Sequence, residues 1–237
     1  MSVLRSWVAL FLIGVGIAVC TPIVIVLGVL PYRYRWAVAS AWSRYALWTM
    51  RVVCGLDYSV EGREHLEGHG ASIVFCKHQS AWETIAMIAI CPAHTWVLKR
   101  ELMWVPFLGW ALAVMRPIAV HRGAGRRAVL QVAEQGAALL ASGRWVMIFP
   151  EGTRLPPYAT RKYGVGGAVL ATTTGAPVVP IAHNAGHYWP RKKMLSPGTV
   201  RVVIGPPIEA RGKSVEQLNG EAQAWVEEQM RRLEPPV

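Results

Sequence analysis

Lys77-His78-Gln79-Ser80-Ala81-Trp82-Glu83-Thr84 joins an apolar run with strand character, Ser72-Ile73-Val74-Phe75-Cys76, to a second run with helix character that ends at Ile90 before Pro92. A strand-to-helix turn is where α/β folds expose chemistry. On one continuous helix His78 and Glu83 would lie roughly 140° apart, since each residue turns about 100°. With the strand ending near Lys77 and the helix starting at Ser80, the Glu83 carboxylate can instead fold back onto the His78 imidazole. That is the geometry of a base held by an orienting acid, because a carboxylate on the far nitrogen fixes the tautomer and stabilises the imidazolium. The same residues also fit a capping box, Ser80 with Glu83, whose job is to satisfy amide donors at a helix start. The two roles can coexist.

Outward from this turn the chain alternates between strand-like and helix-like stretches, an α/β pattern. Asp57 to Gly62 alternates as a strand, Thr95 to Leu98 is a short strand, and Pro117 to Val120 ends at His121-Arg122. Gly125 to Ala141 is an amphipathic helix, and Trp145 to Phe149 a buried strand that runs into Pro150-Glu151-Gly152-Thr153-Arg154. A loop at a strand end that offers a hydroxyl, a guanidinium and a glycine suits a cluster of anionic oxygens. It also fits an ordinary turn with a surface arginine. Between them, Lys99-Arg100-Glu101-Leu102-Met103-Trp104-Val105-Pro106-Phe107-Leu108-Gly109-Trp110 is an apolar loop and helix with a basic head, suited to a long apolar group or to the core. A helix is expected over Gly167 to Thr173, strands over Pro177 to Ile181 and Val200 to Ile204, and a last helix capped by Ser214 with Gln217. His183 and His187 stand four apart, but Gly186 and Trp189-Pro190 speak for a loop and no third ligand is in view, so no metal site is expected.

The chain has 237 residues, 53% of them hydrophobic, a mean hydropathy of +0.29 and a formal net charge of +11. Apolar and basic together point to a membrane surface; dispersed basic residues without a recognition helix or aromatic stripe argue against nucleic acid. Cys20, Cys54, Cys76 and Cys91 lack CxxC spacing and sit in apolar surroundings, as buried free thiols do in a reducing compartment.

No charged residue occurs from Trp7 to Leu30. As a helix, roughly 24 residues at about 1.5 Å each reach about 36 Å, enough for a hydrocarbon core of about 30 Å. Thr21-Pro22 in mid-segment favours a bend, so a pair of short helices dipping into one leaflet competes with a span. Arginine on both flanks, Arg5 and then Arg33 and Arg35, leans towards both ends being cytoplasmic. The mixed aromatic and arginine residues from Tyr32 to Trp48 suit the headgroup layer. A cleaved lipoprotein signal ending at Cys20 is disfavoured by Val19 and by the apolar run that continues to Leu30.

Four stretches, His78 to Glu83, Lys99 to Gly109, Phe149 to Arg154 and Val178 to Pro180, resemble in order and spacing the four blocks of the glycerolipid acyltransferases, the bacterial lysophosphatidate acyltransferases among them. The resemblance covers roughly residues 57 to 210. Two departures stand out: the family's first block ends in Asp where this chain has Glu83, and Lys77 stands where many relatives have Asn. The resemblance implies a glycerolphosphate-acyltransferase-like fold, α/β with a mixed sheet flanked by helices. It divides the chain into N-terminal membrane-anchoring helices, 1–50, and an acyltransferase domain, 51–237.

It further implies transfer of a fatty acyl group from acyl-CoA or acyl carrier protein to the sn-2 hydroxyl of lysophosphatidate, giving phosphatidate, with no cofactor beyond that co-substrate. His78 and Glu83 are then the catalytic pair, and Lys99 and Gly109 lie on the oxyanion and acyl-donor side. Glu151, Gly152, Thr153, Arg154 and Arg122 lie about the substrate phosphate, with Glu151 holding the loop or a substrate hydroxyl. The implied partners are the bilayer and a lysophospholipid, and the implied place is the bacterial inner membrane with the catalytic domain on the cytoplasmic side. Two alternatives are another lyso-lipid acceptor, such as lyso-ornithine lipid, and a non-catalytic lipid-binding protein.

Overall fold

The computed structural model describes residues 3–233, apart from the side chain of Arg122. Helix α1 (Val3–Val26) runs through Pro22 without breaking, and the chain turns only at Leu27–Val29 and Pro31. The bend expected at Thr21-Pro22 is therefore displaced towards the glycine and proline of the true turn. Helix α2 (Tyr32–Cys54) returns along α1, with the Trp42 indole N–H donating to the Ile13 carbonyl at 3.3 Å and Tyr45 to Leu12 at 3.4 Å. Gly55, at φ +66°, closes α2 in the left-handed conformation that glycine adopts without strain. The helix thus ends four residues beyond the expected boundary at 50.

The strands are β1 (Leu56–Glu61), β2 (Ile73–Cys76), β3 (His94–Lys99), β4 (Ile118–Val120), β5 (Trp145–Ile148), β6 (Val178–His183) and β7 (Gly198–Ile204). They form one mixed sheet in the order β1-β7-β6-β2-β5-β3-β4, in which only the β6–β7 pairing is antiparallel. The helices are α3 (Trp82–Ile90), α4 (Leu108–Met115), α5 (Arg126–Ala141), α6 (Gly166–Thr174), α7 (Ala185–Tyr188) and α8 (Val215–Leu233).

Successive side chains of a strand point to opposite faces. In β2, Val74 and Cys76 join a core with α2 and α3, whereas Ile73 and Phe75 join one with α5, α6 and α8. A strand covered on both faces has to be apolar throughout, which is why 73–76 carries no polar residue. Gly167 lets α6 lie directly on β2, since a Cβ there would stand 2.5 Å from the Phe75 ring. Ser214 and Gln217 cap α8 reciprocally, at 3.1 and 2.8 Å, as their spacing predicts.

The functional consequence lies in the order of the strands. β2 has β5 on one side and β6 on the other, both parallel to it, with Phe75 beside Ile148 and Cys76 beside Ile181. The loops after β2, β5, β3 and β6 therefore leave one edge of the sheet, and the chain's crossing from one side of β2 to the other opens a crevice there.

Candidate active site

At that edge the strand β2 ends and Lys77 to Ala81 form the turn into α3. Ser80 stops the turn: its hydroxyl oxygen accepts the Trp82 N–H at 3.1 Å, and its own O–H donates to the Trp189 carbonyl at 2.6 Å. Glu83, in the first turn of α3, folds back. Its Oε1 accepts the His78 Nδ1–H at 2.8 Å, the Gln79 amide at 2.9 Å and the Ser80 amide at 2.8 Å. The helix cap and the imidazole–carboxylate pair are thus one arrangement, with a single carboxylate oxygen serving both.

Glu83 is wholly buried. Burial by itself raises a carboxyl pKa, but the pull of His183, together with the hydrogen bond and charge from His78 and the Ser80 amide, overrides it and holds Glu83 below its ordinary value. The His78 ring is stacked on Phe149, 4.2 Å between centroids and 20° from parallel, so its orientation is fixed from the side as well as from behind. With Nδ1 as the donor to Glu83, Nε2 carries the free lone pair.

His183, at the end of β6, is the neighbour that its spacing from His187 disguises. Its Nε2 donates to the Lys77 carbonyl at 2.8 Å and lies 3.9 Å from Glu83 Oε2, while its Nδ1 accepts the Ala185 amide at 3.3 Å. Burial lowers its pKa although the Glu83 carboxylate raises it, and its ring acts as a fixed donor to the turn. His187 belongs to the short helix α7 where a loop is expected. Among the described residues no cluster of three or more His, Cys, Asp or Glu could hold a metal.

The 149–154 loop folds over this turn. The Leu155 amide donates to the His78 carbonyl at 2.8 Å, and Glu151 Oε2 accepts the His78 amide at 2.8 Å. Glu151 is buried and faces Lys77, 2.8 Å from its Nζ, so its carboxylate grips the turn and does not line the cavity. Burial holds the Glu151 carboxyl above its ordinary range, although Lys77 pulls it down.

A cavity of about 460 Å³ opens at this edge. His78, Lys99, Gly152 and Arg154 line its polar side, and α1, α3, α4 and β3 supply an apolar wall that includes Ile17, Ile88, Trp96 and Leu112. A smaller cavity of about 100 Å³ shares those four apolar residues and runs on between α1, α2 and α4. Arg154 is exposed, and Thr153 is half-buried beside it. Gly109, buried in the first turn of α4, is not among the residues that line the cavity: its amide is taken by the Val105 carbonyl at 2.6 Å, and a Cβ would meet the Met103 carbonyl oxygen at 2.2 Å. It is a close-approach glycine there, with its N–H turned to its own loop. The side chain of Arg122 lies outside the described residues. The contributions of Ile13, Ile17 and Trp42 to the cavity were not legible in sequence, because helical periodicity does not say which distant strand end a helix will cover.

Comparison with known proteins finds acyltransferases. A family model described as Acyltransferase matches residues 57–184. A 1-acyl-sn-glycerol-3-phosphate acyltransferase of Pseudomonas aeruginosa is 45% identical over 212 residues, covering 87% of this chain and 82% of that protein. A chloroplastic 1-acyl-sn-glycerol-3-phosphate acyltransferase of Arabidopsis thaliana is 27% identical over 206 residues, 84% of this chain but 56% of that longer one. The crystal structure of the 1-acyl-sn-glycerophosphate acyltransferase PlsC from Thermotoga maritima shares the fold, with a TM-score of 0.82 at 22% identity over 99% of this chain and 96% of that one.

Proposed function

This chain belongs to the acyltransferase family, and we propose that it transfers a fatty acyl group from a thioester donor, acyl-CoA or acyl carrier protein, to the sn-2 hydroxyl of lysophosphatidate, giving phosphatidate. The observation that carries this reading is the His78–Glu83 pair at 2.8 Å on the wall of a cavity that also holds Arg154. A hydroxyl in the cavity can give its proton to His78 Nε2 as its oxygen attacks the thioester carbonyl carbon. Glu83 stabilises the imidazolium so formed. The tetrahedral oxyanion then collapses, the carbon–sulfur bond breaks, and the thiolate takes the proton back from His78. The products are an ester and a free thiol, with no acyl-enzyme between.

Lys99, half-buried on the cavity wall, supplies positive charge on the side where the carbonyl oxygen develops charge. Arg154 offers a guanidinium to the acceptor phosphate, with Thr153 and the backbone at Gly152 beside it and Arg122 as a further candidate. The apolar wall and its extension between α1 and α4 suit the acyl chain. No metal or cofactor is required by these steps.

Membrane association is part of the proposal. Trp7, Phe11, Val19, Ile23 and Val26 of α1 are exposed, and the helix is long and apolar enough to cross a bilayer by length and composition. Yet α2 returns alongside it carrying Arg33, Arg35, Arg44 and Arg51. A hairpin with one apolar and one basic arm suits a helix lying in one leaflet beside the domain, on the cytoplasmic face of the bacterial inner membrane, better than a single crossing.

The test is release of free thiol from an acyl thioester by the full chain, offered lysophosphatidate, lyso-ornithine lipid or no acceptor. Release that depends on lysophosphatidate is the expected result. Release with lyso-ornithine lipid alone would move the acceptor, and binding without release would remove the catalytic reading.

A further inference from the structure

The ammonium of Lys77 is shut inside the protein at the root of the catalytic turn, with a side-chain exposure of 1%. Its Nζ lies 2.8 Å from Glu151 Oε1, 2.8 Å from Glu227 Oε1 and 3.2 Å from the Ala159 carbonyl oxygen. Three oxygens thus face a group that has three hydrogens to give. Burial alone would lower the pKa of this lysine, but Glu151 and then Glu227 outweigh it and hold it above the ordinary value, so it is a permanent cation.

What the cation holds is the backbone of His78. Glu151 is bifunctional: one oxygen meets Lys77 and the other accepts the His78 N–H at 2.8 Å. The His78 carbonyl is taken by the Leu155 amide, so both main-chain polar groups of His78 are fastened to the loop that carries Arg154. Without the ammonium, Glu151 would be an uncompensated anion in a dry interior, and it would be protonated or swing out to water. Either response weakens the grip on the His78 amide. Glu227 comes from α8, beyond residues 57–184 matched by the family model. Its carboxylate is only partly exposed and reaches inward across 150 positions of sequence to the same nitrogen.

We propose that Lys77 is a positioning residue for His78, acting through Glu151, and that Glu227 is the second counter-ion that keeps this ammonium in place, so that the C-terminal helix is part of the catalytic apparatus. The proposal rests on the reading of His78 as the base. It does not touch the substrate, so its signature is loss of imidazole alignment with acceptor binding retained. A side chain that merely held the fold together would instead change thermal stability and leave each folded molecule as active as before.

The experiment uses the full chain in detergent micelles with two readouts. The first, independent of any substrate, is the low-field proton resonance of His78 Nδ1–H donated to Glu83, assigned by its absence in His78→Ala. The second is kcat and acceptor KM per folded enzyme. For Lys77→Met the expected result is loss of the resonance and a fall in kcat of about 10²-fold with KM nearly unchanged, as a displacement of about 1 Å at a base costs. Lys77→Arg, which keeps the charge, is expected to keep the resonance and most of kcat, and Glu227→Gln to lose about tenfold in kcat. A folded Lys77→Met with the resonance intact and kcat within about twofold overturns the proposal; should that variant not fold, wild-type resonance and kcat in Glu227→Gln overturn it instead. A resonance lost in Lys77→Met from a protein that turns over no lysolipid would support the positioning role and sink the acceptor assignment.

Discussion

Glu83 and Glu151 grip the same turn from opposite sides, and both are sealed from solvent. Each accepts main-chain N–H groups there, Glu83 those of Gln79 and Ser80 and Glu151 that of His78. They differ in the cation they face. Glu83 meets an imidazole, which the proposed reaction charges and discharges, whereas Glu151 meets an ammonium. Their carboxyl groups are displaced in opposite directions, Glu83 below and Glu151 above the ordinary range. The difference teaches that Glu83, with an imidazole and two amides donating to one oxygen, is stabilised as an anion despite its burial, while Glu151, with one ammonium and one amide, still bears the cost of its burial.

That contrast breaks most visibly at Glu83. Glu83→Gln keeps the size but exchanges an acceptor for an amide, which favours the wrong imidazole tautomer; thiol release is expected to fall about 10²–10³-fold. Glu83→Asp keeps the charge on a shorter arm and is expected to lose only about tenfold. Equal effects of the two substitutions would mean that charge is irrelevant there. Glu151→Gln should cost turnover about as much as Lys77→Met, because the grip on the His78 amide goes with the carboxylate, and should add a loss of thermal stability, because Lys77 is left with Glu227 alone.

At Arg154 the expected effect is on binding. Loss of a charge-assisted contact to phosphate should raise the lysophosphatidate KM at least about tenfold in Arg154→Ala with kcat less affected, and leave an acceptor lacking the phosphomonoester untouched. An unchanged KM takes the residue out of the acceptor site.

The smallest effect comes from a buried histidine remote from the turn, which serves as a baseline. His94 is packed between Trp36 and Trp96, and burial pushes its pKa down to about 4. Between roughly pH 6.5 and 4 the unfolded chain binds a proton that the folded chain refuses, so stability is present above that window and lost as pH falls through it. Between pH 7 and 5.5 the loss should be about 1 kcal/mol, visible in denaturant unfolding and absent in His94→Phe if that variant folds. A slope unchanged by the substitution would place the titration elsewhere.

Much of the fold was legible because its signals are local. The apolar run 72–76, the amphipathic helix ending at Ala141 and the Ser214–Gln217 cap each depend on residues within a few positions of one another. The His78–Glu83 pair was legible for the same reason. What the sequence withheld is contact across long separations. Glu227 on Lys77 and His183 on the Lys77 carbonyl are set by which strands lie beside β2, and no periodicity reports that. The bend favoured at Thr21-Pro22 is not where the chain turns: Pro22 lies inside α1, and the turn falls beyond it at Leu27–Val29.

The central claim is that His78, held by Glu83 in the cavity it shares with Arg154, removes the acceptor proton. Its most direct test is thiol release by His78→Ala with saturating thioester and lysophosphatidate, with thermal unfolding measured on the same sample. The account expects turnover to fall about 10²–10⁴-fold with the unfolding temperature nearly unchanged. Turnover close to the wild-type rate from a folded variant would contradict it.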